Sequence, residues 1–468
     1  MALQAGFGSC DLTPEIGCPL SGYAAREELS SGLDDPLFGY ALVLRNEQTA
    51  VAIVCADLED VDAAFVADVR GQVTAATDLQ AEQIMVCATH THWAPCMRPV
   101  PYVKKLLRDA VDEQYAGIAA AALAGAVEKA CERLQPAVVG WGSGRAEGIS
   151  FNRRPVNLRT RQCVGTYRLE PQLAALAASE GAKLAEAWPR HGHLGPRLSP
   201  PLAELDGLSV APVDNEVPVL RVDTAAGQPL ATLASFACHA SVGKDDLYAI
   251  SADYPAEARW AFEQVTGGPL LFAAGCSGDM TSAWRGGNSR ERVGRAIGYG
   301  AAEAWLRIQT LAEEVPLAVI SRMVEIPVPA GFPSIAEAEK ECEECGDRDD
   351  AAGIRARRRY KRALEVAGRS ATPREVWAAR VGDMGIVGLP GEILVEIGMQ
   401  IKQRSPFAVT NVIGMANGSA QYMCTDAAIK EGGAEPGAGE ATNCNGPGTE
   451  AALVEKALAM LAQLAGDE

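Results

Sequence analysis

Hydrophobic positions along this chain fall into two kinds of run. The first are short, nearly continuous apolar stretches bounded by Gly, Pro, Asn or Asp: "GYALVLRN", "TAVAIVCADLEDVD", "EQIMVCAT", "AVVGWGSG", "VPVLRVDT", "LATLASFACH" and "GPLLFAAGCSGD". Their length and punctuation predict strands. The second kind is amphipathic. "AAFVADVRGQVTAATD" follows one strand and precedes another, and "EAALVEKALAMLAQLAG" closes the chain. Both predict helices. An alanine-rich run at 115–127 is too short to span a bilayer and predicts a buried helix. Strand, helix, strand is the signature of an α/β layer. The expectation is an α/β fold of mixed sheet layers with flanking helices, one large domain over 1–468 without internal repeats.

The pattern breaks at 333–370. This segment is acidic first ("AEKECEECGDRDD") and basic afterwards ("RARRRYKR"). It predicts a charged helical insert whose halves pair across a hairpin, the basic half forming a solvated face. Strand periodicity returns in "VWAARVGDMGIVGLPGE", and "EGGAEPGAGEATNCNGPG" predicts a loop.

Composition narrows the function classes. The chain has 468 residues, 48% hydrophobic and 22% charged, with a formal net charge of −18. That balance disfavours nucleic acid and anionic membrane surfaces as partners and leaves a small-molecule substrate. The N-terminus lacks the basic start and apolar core of a secretory signal, and no run predicts a transmembrane segment. The thirteen cysteines are scattered, which fits buried apolar thiols in a reducing, cytoplasmic setting. Cys342 and Cys345 form one CxxC, but a structural zinc site needs a second ligand pair and none lies near.

Five histidines are present, and three follow strand-like runs. His90 and His92 stand two apart at the end of "EQIMVCAT", a spacing that on a strand points both side chains to one face. His239 ends "LATLASFACH". Carboxyl ends of strands are where α/β proteins bind ligands. His191 and His193, in "PRHGHLGPR", read as loop residues. A histidine metal site needs further donors and an open position. Glu392, after the Pro-Gly of "GLPGE", is predicted at a helix start, where it either ligates or complements the helix dipole. Asp279 in "GCSGDM" is a further candidate acid. Asp57 and Asp253 are candidates for supporting positions, or are simple cap and turn residues.

These residues lie in an ordered series: "GFGSCDLTPEIGCPLSGY", "DDPLFGYALVL", "THTHWAP", "FACHASV", "SADYPAEAR", "GCSGD", "LPGE" and "NGSAQYMCT". The series resembles the N-terminal catalytic domain of the neutral/alkaline non-lysosomal ceramidase family and runs over nearly the whole chain. The resemblance implies a hydrolase that cleaves an N-acyl amide bond with a zinc-activated water. It implies Zn2+ held by His90, His239, Glu392 and Tyr422, with His92 facing the substrate as proton relay. An Asn-Arg pair lining the family's site falls on Asn152 and Arg153, with Arg154 as the alternative, and Arg153 and Tyr422 would stabilise an oxyanion. Trp93 and Asp279 complete the expected substrate wall.

This sequence also departs from the family pattern. Members are usually longer, with a further C-terminal β-domain, and are secreted or membrane-associated. Trp93 stands where a small residue is common, and "MTS" follows Gly-Asp. A small soluble ester, lactone or sugar-derived substrate therefore competes with a lipid amide, as does an inactive ligand-binding relative. Oligomeric state is not readable.

Overall fold

A computed structural model describes residues 3–24, 26–101, 104–163, 208–209, 212–243, 248–311, 315–437 and 442–466. His191 and His193 lie outside the described residues. The larger sheet has eight strands: β1 (Gln4–Asp11), β2 (Phe38–Arg45), β3 (Ala50–Ala56), β4 (Ile84–Ala88), β5 (Gln135–Arg145), β6 (Glu216–Thr224), β7 (Pro229–Phe236) and β8 (Leu270–Ala274). Their order is β8-β7-β6-β5-β1-β2-β3-β4. The edge pairs β7/β8 and β3/β4 are parallel and the inner pairs antiparallel. A second sheet holds β9 (Leu317–Pro327), β10 (Ala371–Val381), β11 (Met384–Gly388) and β12 (Val409–Ile413) in that order, with β11/β12 parallel.

The two sheets pack face to face, and β3 shows why. All seven residues of "AVAIVCA" are buried. Val51, Ile53 and Cys55 join Trp377, Ala379 and Ile386 of the second sheet. Ala50, Ala52, Val54 and Ala56 alternate onto the other face, among residues of helices α1 (Ala63–Ala76) and α2 (Glu113–Glu132). A strand buried on both faces reads as one continuous apolar run, as this one does. Helices α3 (Tyr254–Thr266) and α4 (Ser289–Arg307) cover the β6–β8 end. The second sheet's outer face is covered by α7 (Val395–Arg404) and α8 (Thr449–Ala465). The result is a helix–sheet–sheet–helix stack, the mixed α/β architecture the periodicity predicted.

Each parallel pair is a βαβ unit: β3–α1–β4, β7–α3–β8 and β11–α7–β12. Parallel strands require such a crossover. Residues 414–417, after β12, stitch the three units together. Gly414 N–H donates to Ala274 O (2.9 Å), Ala88 N–H to Met415 O (3.1 Å) and Asn417 N–H to Val86 O (2.8 Å). The carboxyl ends of strands from all three units thereby meet.

Between β9 and β10 the charged segment forms α5 (Ile335–Cys345) and α6 (Ala351–Val366). Ser334 and Asp350 cap these helices with side-chain oxygens. The acidic helix pairs with the basic one: Arg359 meets Glu341 at 2.7 Å and Tyr360 donates to Glu339 at 3.0 Å. All thirteen cysteines are free thiols. Among the described residues no helix is long and apolar enough to cross a membrane.

Candidate metal centre and its cavity

The strand ends converge on two imidazoles. His90 lies two residues beyond β4, in the left-handed region at φ 63°. Its N–H donates to Leu58 O (3.0 Å), and its ring Nδ1 meets the Glu59 carbonyl at 2.7 Å. His239 lies three residues beyond β7, with Nδ1 2.6 Å from the Ser277 carbonyl. A carbonyl only accepts, so each Nδ1 carries a proton and each neutral ring presents an Nε2 lone pair. The two Nε2 atoms face each other at 3.2 Å. Glu392 Oε2 stands 3.1 Å from His239 Nε2 and 3.4 Å from His90 Nε2. That oxygen is buried and makes no hydrogen bond. Three lone-pair atoms converging in a buried site repel one another unless a proton or a metal cation lies between them. Imidazoles locked by backbone carbonyls at the far nitrogen are the usual preparation for a metal.

The electrostatics follow from the same contacts. Burial would raise the Glu392 carboxyl, but the two imidazoles hold it well below its usual range. Burial alone would depress His90; the adjacent Glu392 outweighs it and lifts His90 to about 9. His239 is pushed down to about 4 by burial and Arg153.

Glu392 does not begin a helix, contrary to the sequence expectation. It forms a two-residue strand with Ile393, parallel to Tyr422–Met423, with Glu392 and Tyr422 as register partners. Helix α7 begins only at Val395, so the helix dipole does not explain the acid. Gly391, at φ 93°, permits this pairing: a Cβ there would lie 2.4 Å from Gln421 O. The Tyr422 hydroxyl accepts from Arg153 Nη2 at 3.1 Å. Arg153 is fixed in turn by Glu435 Oε1 (2.9 Å) and the Gly278 carbonyl (2.7 Å). Burial and then the Glu392 carboxylate push the Tyr422 phenol well above 10.

His92 sits differently. Its ring centroid is 5.0 Å from that of His90 and 5.4 Å from that of His239. Both of its ring nitrogens are buried without a hydrogen bond. Burial, then the two neighbouring imidazoles, push it well below 6.5. Gly22, at φ 93°, makes room for the ring: a Cβ there would meet His92 Cγ at 2.5 Å. One donor atom from each of His90, His92 and His239 lies within 4.8 Å of the others, a group that can hold a metal ion.

These residues open into a cavity of about 740 Å3. His90, His92, His239, Glu392, Tyr422 and Arg153 line it. Strain gathers here: of the non-glycine residues at positive φ, His90, Met415 and Gln421 are on its wall.

Three expected wall residues are not on it. Trp93 is 3% exposed and packs into the apolar core beside Tyr23. Trp93 stands one residue past His92, so strand alternation sets it on the face opposite the histidine pair. Asn152 and Asp279 lie behind the wall. Asp279 accepts from Asn152 Nδ2 (2.7 Å) and Val395 N–H (2.8 Å), tying the segment that carries Arg153 to the start of α7. Arg154 turns away onto Glu435 Oε2 (2.5 Å) and the Gly432 carbonyl (2.7 Å). Asp57 pairs with Arg259 at 2.9 and 2.7 Å. Asp253 accepts from the N–H groups of Val242 and Gly243, which pins the loop after His239.

Sequence reasoning missed Glu435, whose loop read only as Gly- and Pro-rich, and the Glu59 and Ser277 carbonyls, which no side-chain pattern announces. It also placed the basic half of the insert on a solvated face. Arg358, Lys361, Arg362 and Glu365 of α6 line the cavity.

Residues 3–160 match a family model described as neutral/alkaline non-lysosomal ceramidase, N-terminal. No curated protein sequence matches the chain. Among solved structures, a neutral ceramidase from Pseudomonas aeruginosa aligns with 100% of this chain and 75% of its own, at 18% identity and a TM-score of 0.68. A ceramidase complexed with C2 aligns with 100% of this chain and 76% of its own, at 17% identity and a TM-score of 0.69. Residues 3–160 of this chain are thus similar to the neutral/alkaline non-lysosomal ceramidase family, and the chain as a whole shares the fold of these ceramidase structures.

Proposed function

We propose that this protein is a zinc-dependent hydrolase that cleaves an N-acyl amide bond. The observation that carries the reading is the convergence of His90 Nε2, His239 Nε2 and Glu392 Oε2 with both Nδ1 atoms locked onto carbonyls. Tyr422, the register partner of Glu392, is the fourth donor. His92 is assigned to the substrate side, because neither of its nitrogens is fixed by a hydrogen bond as the Nδ1 atoms of His90 and His239 are. Two imidazoles, a carboxylate and a phenol suit zinc. Zinc in such a site acts as a Lewis acid on a carbonyl and acidifies a bound water to a pKa of about 7.

The chain's own residues supply the rest. Buried His92 is neutral near pH 7 and has both nitrogens unengaged, so it can accept a proton and pass it to the leaving nitrogen. Arg153 keeps a fixed geometry through Glu435 and Gly278 and donates to the Tyr422 hydroxyl, so its positive charge favours negative charge developing on the carbonyl oxygen.

The test is hydrolysis of short- and long-chain N-acyl amides against matched esters and lactones, with zinc-loaded and chelator-treated protein. Amide cleavage that disappears on chelation and returns with zinc supports the proposal. Ester or lactone cleavage without amide cleavage would replace the substrate class, and activity indifferent to chelation would remove the metal.

A further inference from the structure

The same cavity carries a feature that metal chemistry does not need. Arg358, Lys361, Arg362 and Glu365 recur at i, i+3, i+4 and i+7 along α6, so one stripe of the helix faces the cavity. In a chain of net charge −18 this stripe is mainly cationic. Several cavity charges are already matched. Arg98 pairs with Asp60 and Asp62 at 2.7 and 3.0 Å. Arg362 pairs with Glu365 at 2.6 Å, and Arg153 with Glu435 at 2.9 Å.

Lys361 is the exception. It is partly buried on the cavity wall, and its ammonium makes no ion pair or hydrogen bond with any described residue. Burial, then Arg362 and Arg98, push it below 10.5 against the opposing pull of Glu365 and Asp60. Arg285, on the same wall, bonds among the described residues to the hydroxyls of Ser241 and Thr281, at 3.2 and 2.9 Å, and its buried Nε has no partner among them. A cation withdrawn from water without a direct ion pair is costly. Polar and charged side chains make up most of the described wall, whose aliphatic side chains are Ala24, Val100, Pro101, Met415 and Ala434.

We propose that the substrate carries an anionic group, a carboxylate or a phosphate, away from its scissile bond, and that Lys361 receives that group. This rests on the hydrolase reading for the word substrate, but the anion site itself does not require catalysis. The occupant is an N-acyl compound with a charged head, and Arg285 adds a second cation that has no ion pair among the described residues.

The test is calorimetric binding to chelator-treated protein, so that no metal can hold the anion. Two pairs of probes differ in charge: N-hexanoylglycine against N-hexanoylglycinamide, and N-hexanoylphosphoethanolamine against N-hexanoylethanolamine. The expected result is that at least one charged probe binds ten-fold or more tighter than its neutral partner. Lys361→Met abolishes that preference and Lys361→Arg restores most of it, the charge rather than the shape being what counts. Which pair shows the preference decides between carboxylate and phosphate. Equal binding within both pairs overturns the proposal, and this comparison needs no variant. A preference that survives Lys361→Met, or one that is present only in metal-loaded protein, also overturns it. Failure of the hydrolase reading would show separately, as charged-probe binding without turnover of any amide.

Discussion

Glu392 and Tyr422 are register partners in a two-residue parallel ladder, and that ladder sets a carboxylate beside a phenol at the edge of the imidazole pair. Strands this short are not stable alone. This one is held by Glu392 N–H donating to Gln421 O (2.8 Å), by the glycine turn at Gly391, and by Asn443 and Asn445, which donate to the Tyr422 carbonyl at 2.9 and 3.2 Å. The ladder therefore couples the metal-facing acid to Arg153 through the Tyr422 hydroxyl. Tyr422→Phe removes the proposed fourth metal donor together with a hydroxyl beside the developing oxyanion, and is expected to lower kcat about 10²- to 10³-fold, the size of losing one oxyanion donor. KM should change little. Steady-state kinetics on the best amide substrate check this, and a pure KM effect would place Tyr422 in substrate binding instead.

Gly22 gives a second handle. Its Cβ would fall 2.5 Å from His92 Cγ, and its φ of 93° is unfavourable for alanine. Gly22→Ala should displace the His92 ring, leaving the ligand geometry of His90 and His239 in place. The expected phenotype is retained metal with kcat reduced by about 10²-fold or more, the range of a lost general acid–base. Metal analysis and kinetics on the same preparation separate the two roles. Loss of metal together with activity would make His92 a ligand.

Metal affinity should depend on pH with a definite sign. In ion-free protein His90 titrates at about 9, so at pH 7 it holds a proton that a metal must displace. Glu392 is already ionised and His239 already neutral at that pH. One proton is thus released per ion bound. Affinity rises about ten-fold per pH unit between pH 6 and 8 and levels off as pH passes the His90 value. Competition with a chelator of known pH dependence measures the slope, and a slope near zero would contradict the protonation pattern.

Asp57 and Arg259 test the scaffold rather than the site. Both are buried and joined by two hydrogen bonds. Asp57→Ala leaves an uncompensated guanidinium in the core and should cost about 3–5 kcal/mol. Denaturant unfolding reads the loss directly. A loss under about 1 kcal/mol would mean that water reaches Arg259.

Much of this architecture was legible in the sequence because strands buried on two faces write themselves as unbroken apolar runs. β3 and β4 are the clearest cases. His90 and His239 were legible because each follows such a run closely. Wall residues were less so. Trp93 stands one residue past His92, and period-two alternation sets it on the opposite face, where it packs into the core. Asn152 and Asp279 carry the right chemistry but spend it on each other. The stripe on α6 was invisible for another reason. A basic helix face looks solvated until the chain around it is known, and only the fold carries Lys361 to the cavity.

The most direct test of the account is metal stoichiometry paired with amide hydrolysis in wild type, His90→Ala and His239→Ala. The account predicts about one zinc per chain in wild type, with both zinc and activity lost in each variant while the melting transition stays cooperative. Zinc and activity that both survive in His90→Ala would contradict it.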